Sequence, residues 1–236
     1  MLVLSSIQES LKSISSYIHR TPLIYSNSFS RMFGCEVYLK AENLQKTGSF
    51  KVRGAFNKLI KFKSNKVIAA SMGNHAQGVA FAAQTLGLRA KIVMPVTASI
   101  VKQEATRGYG AEVILHGENF KEALKYAMLQ KGYAFIHAFD DEDIIAGQGT
   151  IGIEMLDEMK DIDAILVPVG GGGLISGISA AVKNLSPKTE IIGVQSSSAT
   201  SAYESFISKR VIEIPPQPTI ADGIAVGRVG EKTFEI

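Results

Sequence analysis

Apolar positions along this chain recur first at helical and then at strand spacing, over and over. Ile7, Leu11, Ile14 and Ile18 lie three or four residues apart, which predicts an amphipathic helix over residues 6–18, ended by Thr21-Pro22. Val37-Tyr38-Leu39 reads as a short strand and residues 51–62 as a helix. Strand 67–70 then leads to helix 74–86, closed by Gly87, and strand 90–94, ended by Pro95, leads to helix 99–107. Strand 111–115, helix 120–130 and strand 133–136 follow, then a helix over 146–159. Strand 164–169 runs into four glycines and helix 174–183, and residues 191–194 form one more strand. Such alternation predicts an α/β fold of open parallel sheets with helices on both faces. Ligands of that architecture bind beyond the carboxyl ends of the strands, at the first turns of the helices.

Composition changes this picture little. The 236 residues are 46% hydrophobic and 20% charged, with 25 Lys+Arg against 22 Asp+Glu. That is ordinary globular usage, long enough for one large or two small domains. The basic residues are dispersed, which argues against nucleic acid as a partner. No apolar run is long enough for a membrane span, so a cytoplasmic protein is expected. One cysteine, Cys35, excludes an internal disulfide and a cysteine-cluster metal site, and is expected to be a buried, small apolar residue. No histidine stands at metal-ligand spacing, so no metal is expected, and His19, His116 and His137 are read as structural.

Three stretches carry chemistry. In Lys46-Thr47-Gly48-Ser49-Phe50-Lys51-Val52-Arg53-Gly54, a glycine turn delivers Lys51 to a helix start. There the helix dipole disfavours added positive charge, and a neutral amine condenses with aldehydes. In Val169-Gly170-Gly171-Gly172-Gly173-Leu174, a strand runs into glycines whose N–H groups, with the next helix, make an anion nest suited to phosphate. The pattern matches neither a Walker P-loop nor a dinucleotide fingerprint. In Ser71-Met72-Gly73-Asn74-His75-Ala76-Gln77-Gly78, free N–H groups could hold a carboxylate. Asn74 either offers its amide to a phenolic oxygen or caps the helix, and His75 is read as shaping the loop by hydrogen bonding.

With Thr21-Pro22-Leu23, Glu42-Asn43-Leu44-Gln45, Arg53-Gly54-Ala55 and Gly147-Gln148-Gly149-Thr150, these motifs appear in an order that resembles the serine/threonine dehydratase family, most nearly threonine dehydratases. These are pyridoxal-phosphate enzymes with the tryptophan synthase β-subunit fold. The resemblance implies a large cofactor-binding domain from residues 1–65 and 144–236, with a smaller domain, 66–143, inserted in it. It implies pyridoxal 5'-phosphate carried on Lys51 as a Schiff base, with Phe50 beside the ring and Asn74 on the phenolic oxygen. Gly170, Gly171, Gly172, Gly173 and the N–H of Leu174 would cradle the phosphate, and Gly223 would lie near the ring plane. Ser71, Gly73, Asn74 and His75 would surround the substrate carboxylate. The implied reaction eliminates water and ammonia from L-threonine to give 2-oxobutanoate, with L-serine as a secondary substrate, in a homo-oligomer (dimer or tetramer).

Four departures from the family's pattern qualify this. Met72 stands where racemases have a serine, and a thioether relays no proton. Gln195, Ala199 and Ser201 stand where divalent-metal-binding relatives place carboxylates around a carbonyl. Family members continue well past Ile236, and no residue here takes the role of the group that meets the pyridine nitrogen. The large domain is therefore expected to have an unpaired sheet edge and an exposed apolar face. No regulatory domain is read within residues 1–236, which leaves feedback control open. Serine racemase, another enzyme of this fold, and an inactive fragment of a dehydratase are the alternatives.

Overall fold

The computed structural model describes residues 2–236. The helices are α1 (Leu4–Ile14), α2 (Asn27–Phe33), α3 (Lys51–Ile60), α4 (Asn74–Thr85), α5 (Ile100–Arg107), α6 (Phe120–Met128), α7 (Glu142–Glu158), α8 (Gly173–Leu185), α9 (Ser201–Ser208) and α10 (Glu231–Glu235). The strands are β1 (Leu23–Tyr25), β2 (Tyr38–Lys40), β3 (Lys66–Ala70), β4 (Arg89–Met94), β5 (Glu112–Leu115), β6 (Ala134–Phe135), β7 (Ala164–Pro168) and β8 (Glu190–Val194).

The predicted alternation makes two parallel sheets. One has the order β5-β4-β3-β6 and the other pairs β7 with β8. In β3, Val67 and Ala69 join the cluster containing the α4 residues Ala76, Val79, Ala80 and Ala83, whereas Ile68 and Ala70 join Ala123 and Ala127 of α6. Strand alternation thus buries both faces of the four-stranded sheet. Beside β7–β8, only one face is covered. Ile165 and Val167 pack with Ile151, Met155, Ile178 and Val182 of α7 and α8. Leu166, Ile192 and Val194 on the other face are exposed, as expected for an uncovered apolar face.

Close approach of α3, α7 and α8 depends on glycine. A Cβ on Gly147 would lie 2.6 Å from Gly54 Cα, and one on Gly149 would lie 2.7 Å from Gly177 O. Helix axes come this near only where side chains are missing. Helix α3 is thereby seated directly on α7, and its core runs on into the four-stranded sheet through Val52, Ala55, Phe56 and Leu59.

Several expectations are corrected. The first helix stops at Ile14 rather than residue 18, since residues 15–17 form a turn before Thr21-Pro22. The helix expected over 146–159 begins at Glu142, because the Asp141 carboxylate caps the N–H groups of Asp143 and Ile144. β1 and β2 pair antiparallel as a separate ribbon, and α2, α9 and α10 carry too little periodicity to be read from sequence. Cys35 is exposed, not buried, because it follows the left-handed Gly34 that ends α2 at the surface. Among the described residues, no helix is long and apolar enough to cross a membrane.

Candidate active site

Lys51 is the first residue of α3, reached through the turn at Gly48, whose φ is +70°. Its surroundings are fixed from below by charge. Arg53, fully buried, makes paired hydrogen bonds to Glu42 (2.8 and 2.8 Å) and to Glu154 (2.6 and 2.9 Å). Burial alone would lower the Arg53 pKa, but these four bonds outweigh it and hold the guanidinium charged. Lys40 Nζ reaches Glu154 at 2.9 Å, and Thr21 Oγ1 donates to Glu42 at 2.5 Å. Gln45 clasps the preceding segment through both backbone groups of His19. The start of α3 is therefore tied to α7 and to residues 19–45 by bidentate contacts of high directional demand. From the other side, α4 reaches it only because position 78 is glycine. A Cβ there would lie 3.1 Å from the Lys51 carbonyl carbon.

Lys51 is half-buried as a residue, yet its amine lies among protein atoms, and this desolvation lowers its pKa to about 8. Nζ donates to Ala138 O at 2.9 Å and lies 5.3 Å from the centroid of the Phe50 ring. Among the described residues, no carboxylate pairs with it. With a pKa near 8, about one amine in ten is neutral at pH 7, against about one in three thousand for an ordinary lysine. A neutral amine is the form that can act as a nucleophile.

Residues 136–141, which join β6 to α7, gather the distant motifs. Ile136 O accepts from His75 Nε2 at 3.1 Å. Ala138 O holds Lys51. His137 Nδ1 accepts from the N–H groups of Phe139 (3.2 Å) and Asp140 (2.8 Å), which curls the segment. The Phe139 ring then occupies the space where a side chain on Gly171 would project, and a Cβ on Gly173 would fall 2.9 Å from Phe139 Cβ. Thus Lys51 and the glycine turn are separated by the thickness of this one segment. None of its residues was singled out from the sequence except His137, and that as structural. The His-Ala-Phe-Asp-Asp string offers no period or motif by which to find it.

At the glycine turn, β7 ends and Gly172, with φ +96°, turns the chain into α8. No side chain caps this helix. The first-turn N–H groups, having no intrahelical acceptors, form a site for an anion. Three of the glycines have a second reason to be glycine. Gly171 and Gly173 admit Phe139, and Gly172 admits Thr233, whose Oγ1 would lie 2.6 Å from an added Cβ. Gly170 lies against Ile224 and Val226, while a side chain on Gly223 would project into open space.

The loop before α4 has the same form. Gly73 is the N-cap residue and Asn74 the first residue of the helix, so Asn74 does not cap it. The Asn74 side chain is exposed, Ser71 Oγ accepts from Gly73 N, and Met72 packs against the core. His75 is buried, with Nδ1 unpartnered. Burial, then the nearby Lys51 charge, pushes its pKa down to about 3. Nε2 faces a carbonyl and so carries the hydrogen, which leaves Nδ1 a lone pair. Such a ring cannot donate a second hydrogen bond, though the His75 backbone N–H remains at the helix start.

A family model described as pyridoxal-phosphate dependent enzyme matches residues 14–236. The chain belongs to this family. It is 47% identical to an L-threonine ammonia-lyase from Thermotoga maritima, covering 100% of this chain and 61% of that protein. It is 48% identical to a catabolic L-threonine dehydratase from Staphylococcus aureus, covering 99% of this chain and 70% of the relative. Among solved structures, the processed form of threonine deaminase isoform 2 from Solanum lycopersicum superposes with a TM-score of 0.93 at 41% identity, over 98% of this chain and 66% of that one. Maize serine racemase superposes with a TM-score of 0.94 at 35% identity, over 99% and 73%. The chain thus spans 61% of the length of the Thermotoga relative.

The residues present suit the family's cofactor. An aldehyde needs a neutral amine, and Lys51 has a pKa near 8. A phosphate needs uncapped N–H groups without side chains in front of them, and α8 begins with these. The turn and the amine are held by the same six-residue segment.

Proposed function

We propose that this pyridoxal-phosphate dependent enzyme is a threonine dehydratase (threonine ammonia-lyase), which converts L-threonine to 2-oxobutanoate and ammonia, with L-serine as a secondary substrate. The observation that carries the reading is the Lys51 amine, desolvated, free of any carboxylate, and one segment away from the uncapped glycine start of α8. The cofactor, when bound, supplies an aldehyde for the amine and an electron sink for the substrate's α-carbanion.

The chain's own residues do the rest. Lys51 would hold the cofactor through its amine and, with that amine free, would take the proton from the substrate α-carbon. Gly170, Gly171, Gly172, Gly173 and the Leu174 N–H would hold the phosphate, Phe50 and Gly223 would border the ring, and Asn74 would donate from its exposed amide to the phenolic oxygen. Ser71, Gly73, Asn74 and His75 hold the substrate carboxylate, with His75 acting through its backbone N–H because its ring has no hydrogen to offer. Loss of the α-proton and of the β-hydroxyl as water leaves an enamine. Its hydrolysis returns that water and yields the 2-oxo acid and ammonia.

Met72 favours elimination over racemisation, since a thioether packed against the core offers no proton to the opposite face of the α-carbon. The independent sheet of residues 66–135 supports an inserted domain, 66–143, that closes over the substrate. A cytoplasmic homo-oligomer, dimer or tetramer, completes the reading.

The test is direct. The full chain incubated with pyridoxal 5'-phosphate should gain visible absorbance and form 2-oxobutanoate from L-threonine, and Lys51→Ala should lose both. Normal turnover by Lys51→Ala, or D-serine as the main product from L-serine, would overturn the proposal.

A further inference from the structure

The Asp140 carboxylate lies where the 136–141 segment meets the N-terminus of α10. Its Oδ1 accepts from the N–H groups of Lys232 (2.9 Å) and Thr233 (3.3 Å), and its Oδ2 accepts from Glu231 N (3.2 Å). The fit depends on glycine at position 230, since a Cβ there would fall on the Asp140 carboxylate. Thr233 carries the contact inward. Its Oγ1 donates to Gly171 O at 2.8 Å, its carbonyl accepts from Ser176 Oγ of α8 at 3.0 Å, and its side chain fills the space behind Gly172. Gly230 N also donates to Gly171 O, at 3.2 Å. The glycine turn is thus held from the front by Phe139 and from behind by Thr233, and Asp140 adjoins one and binds the other.

We propose that Asp140 is a positioning residue for the phosphate cradle, acting through Thr233 on the Gly171-Gly172 backbone and touching neither cofactor nor substrate. The proposal rests on the reading of the start of α8 as the phosphate site. A flexible four-glycine run has many conformations, and an anion that must order it binds more weakly for that reason. The clamp supplies this order in advance. Three N–H donors onto one carboxylate, followed by a buried hydroxyl onto a carbonyl, make a stiff connection. Because it acts on the phosphate alone, its loss should be felt by pyridoxal 5'-phosphate and not by pyridoxal, which carries the same aldehyde and ring without the phosphate.

The experiment compares the two ligands on the full chain by absorbance titration, together with urea unfolding. Asp140→Ala should weaken pyridoxal 5'-phosphate by about tenfold while pyridoxal stays within about twofold. Asp140→Asn, which keeps an acceptor for Lys232 and Thr233, should recover most of the loss. Gly230→Ala, which displaces the carboxylate, should behave like Asp140→Ala. Thr233→Val keeps the shape and removes the bond to Gly171 O, and it decides the matter if the other variants fail to fold. Equal loss of both ligands, or lower stability with unchanged phosphate preference, would make Asp140 a structural cap and overturn the inference. If the unaltered chain binds no pyridoxal 5'-phosphate, the proposed function fails and takes this inference with it. If it binds and every variant keeps the wild-type ratio, this inference alone fails.

Discussion

Lys51 Nζ donates to the carbonyl oxygen of Ala138 at 2.9 Å, joining residues 87 apart in the chain. A backbone carbonyl holds the amine in place without supplying the negative charge that would keep it protonated. The lysine is oriented and yet remains easy to neutralise, which is the condition an amine nucleophile requires.

The pH dependence of Lys51 follows. Covalent capture of pyridoxal 5'-phosphate, trapped by borohydride and located by peptide mass spectrometry, should rise with a midpoint near pH 8. In Lys51→Arg the trapped peptide should be absent. A midpoint near 10.5, the ordinary lysine value, would mean that burial does not set the amine's charge.

His75 makes a prediction of stability. Its folded pKa, about 3, lies below the ordinary 6.5, so between these values the unfolded chain binds the extra proton. Stability due to His75 is therefore complete above pH 6.5 and is lost as pH falls toward 3. The neighbouring Lys51 charge acts in the same direction. His75→Gln, which can still donate to Ile136 O, should flatten this acid limb in urea unfolding at pH 7.5 and pH 4.5. An unchanged slope would assign the acid sensitivity elsewhere.

Arg53 is the counter-ion of two carboxylates that it buries. Arg53→Ala leaves Glu42 and Glu154 facing each other without it, and should cost about 3–5 kcal/mol in urea unfolding. Arg53→Lys should cost a similar order, because an ammonium cannot serve both carboxylates with paired bonds.

Two glycines should respond oppositely to alanine. Gly147→Ala forces a methyl into the Gly54 backbone and should lower stability by about 1–3 kcal/mol or more. In Gly223→Ala the added Cβ meets no protein atom within 4 Å and should leave unfolding unchanged, while on the proposed reading its methyl should crowd the cofactor ring and weaken pyridoxal 5'-phosphate binding. Wild-type affinity in Gly223→Ala would remove Gly223 from the proposed site.

The legible part of the fold was the part with period. Strands β3, β4, β5 and β7 and helices α3, α4 and α8 stand within a few residues of where apolar spacing puts them. Their ends were less legible where a side chain decided them, as Asp141 does for α7. The three loops of the candidate site stood out because glycine and lysine at strand-to-helix turns have few other uses. Residues 136–141 did not, because Ile136, Ala138, Phe139 and Asp140 do their work through partners that only folding supplies.

By itself, the sequence determined the α/β order of elements, the amine at a helix start and the glycine start of another helix. Those are local properties, set by backbone preference and by spacing within a few residues. Tertiary structure alone decided that Lys51 is desolvated and rests on Ala138. It also decided that the His75 ring is a lone-pair acceptor, and that Gly171, Gly172 and Gly173 are glycine partly to admit Phe139 and Thr233. Burial, proton placement and van der Waals fit depend on atoms brought together from distant parts of the chain, and no window of sequence contains both partners.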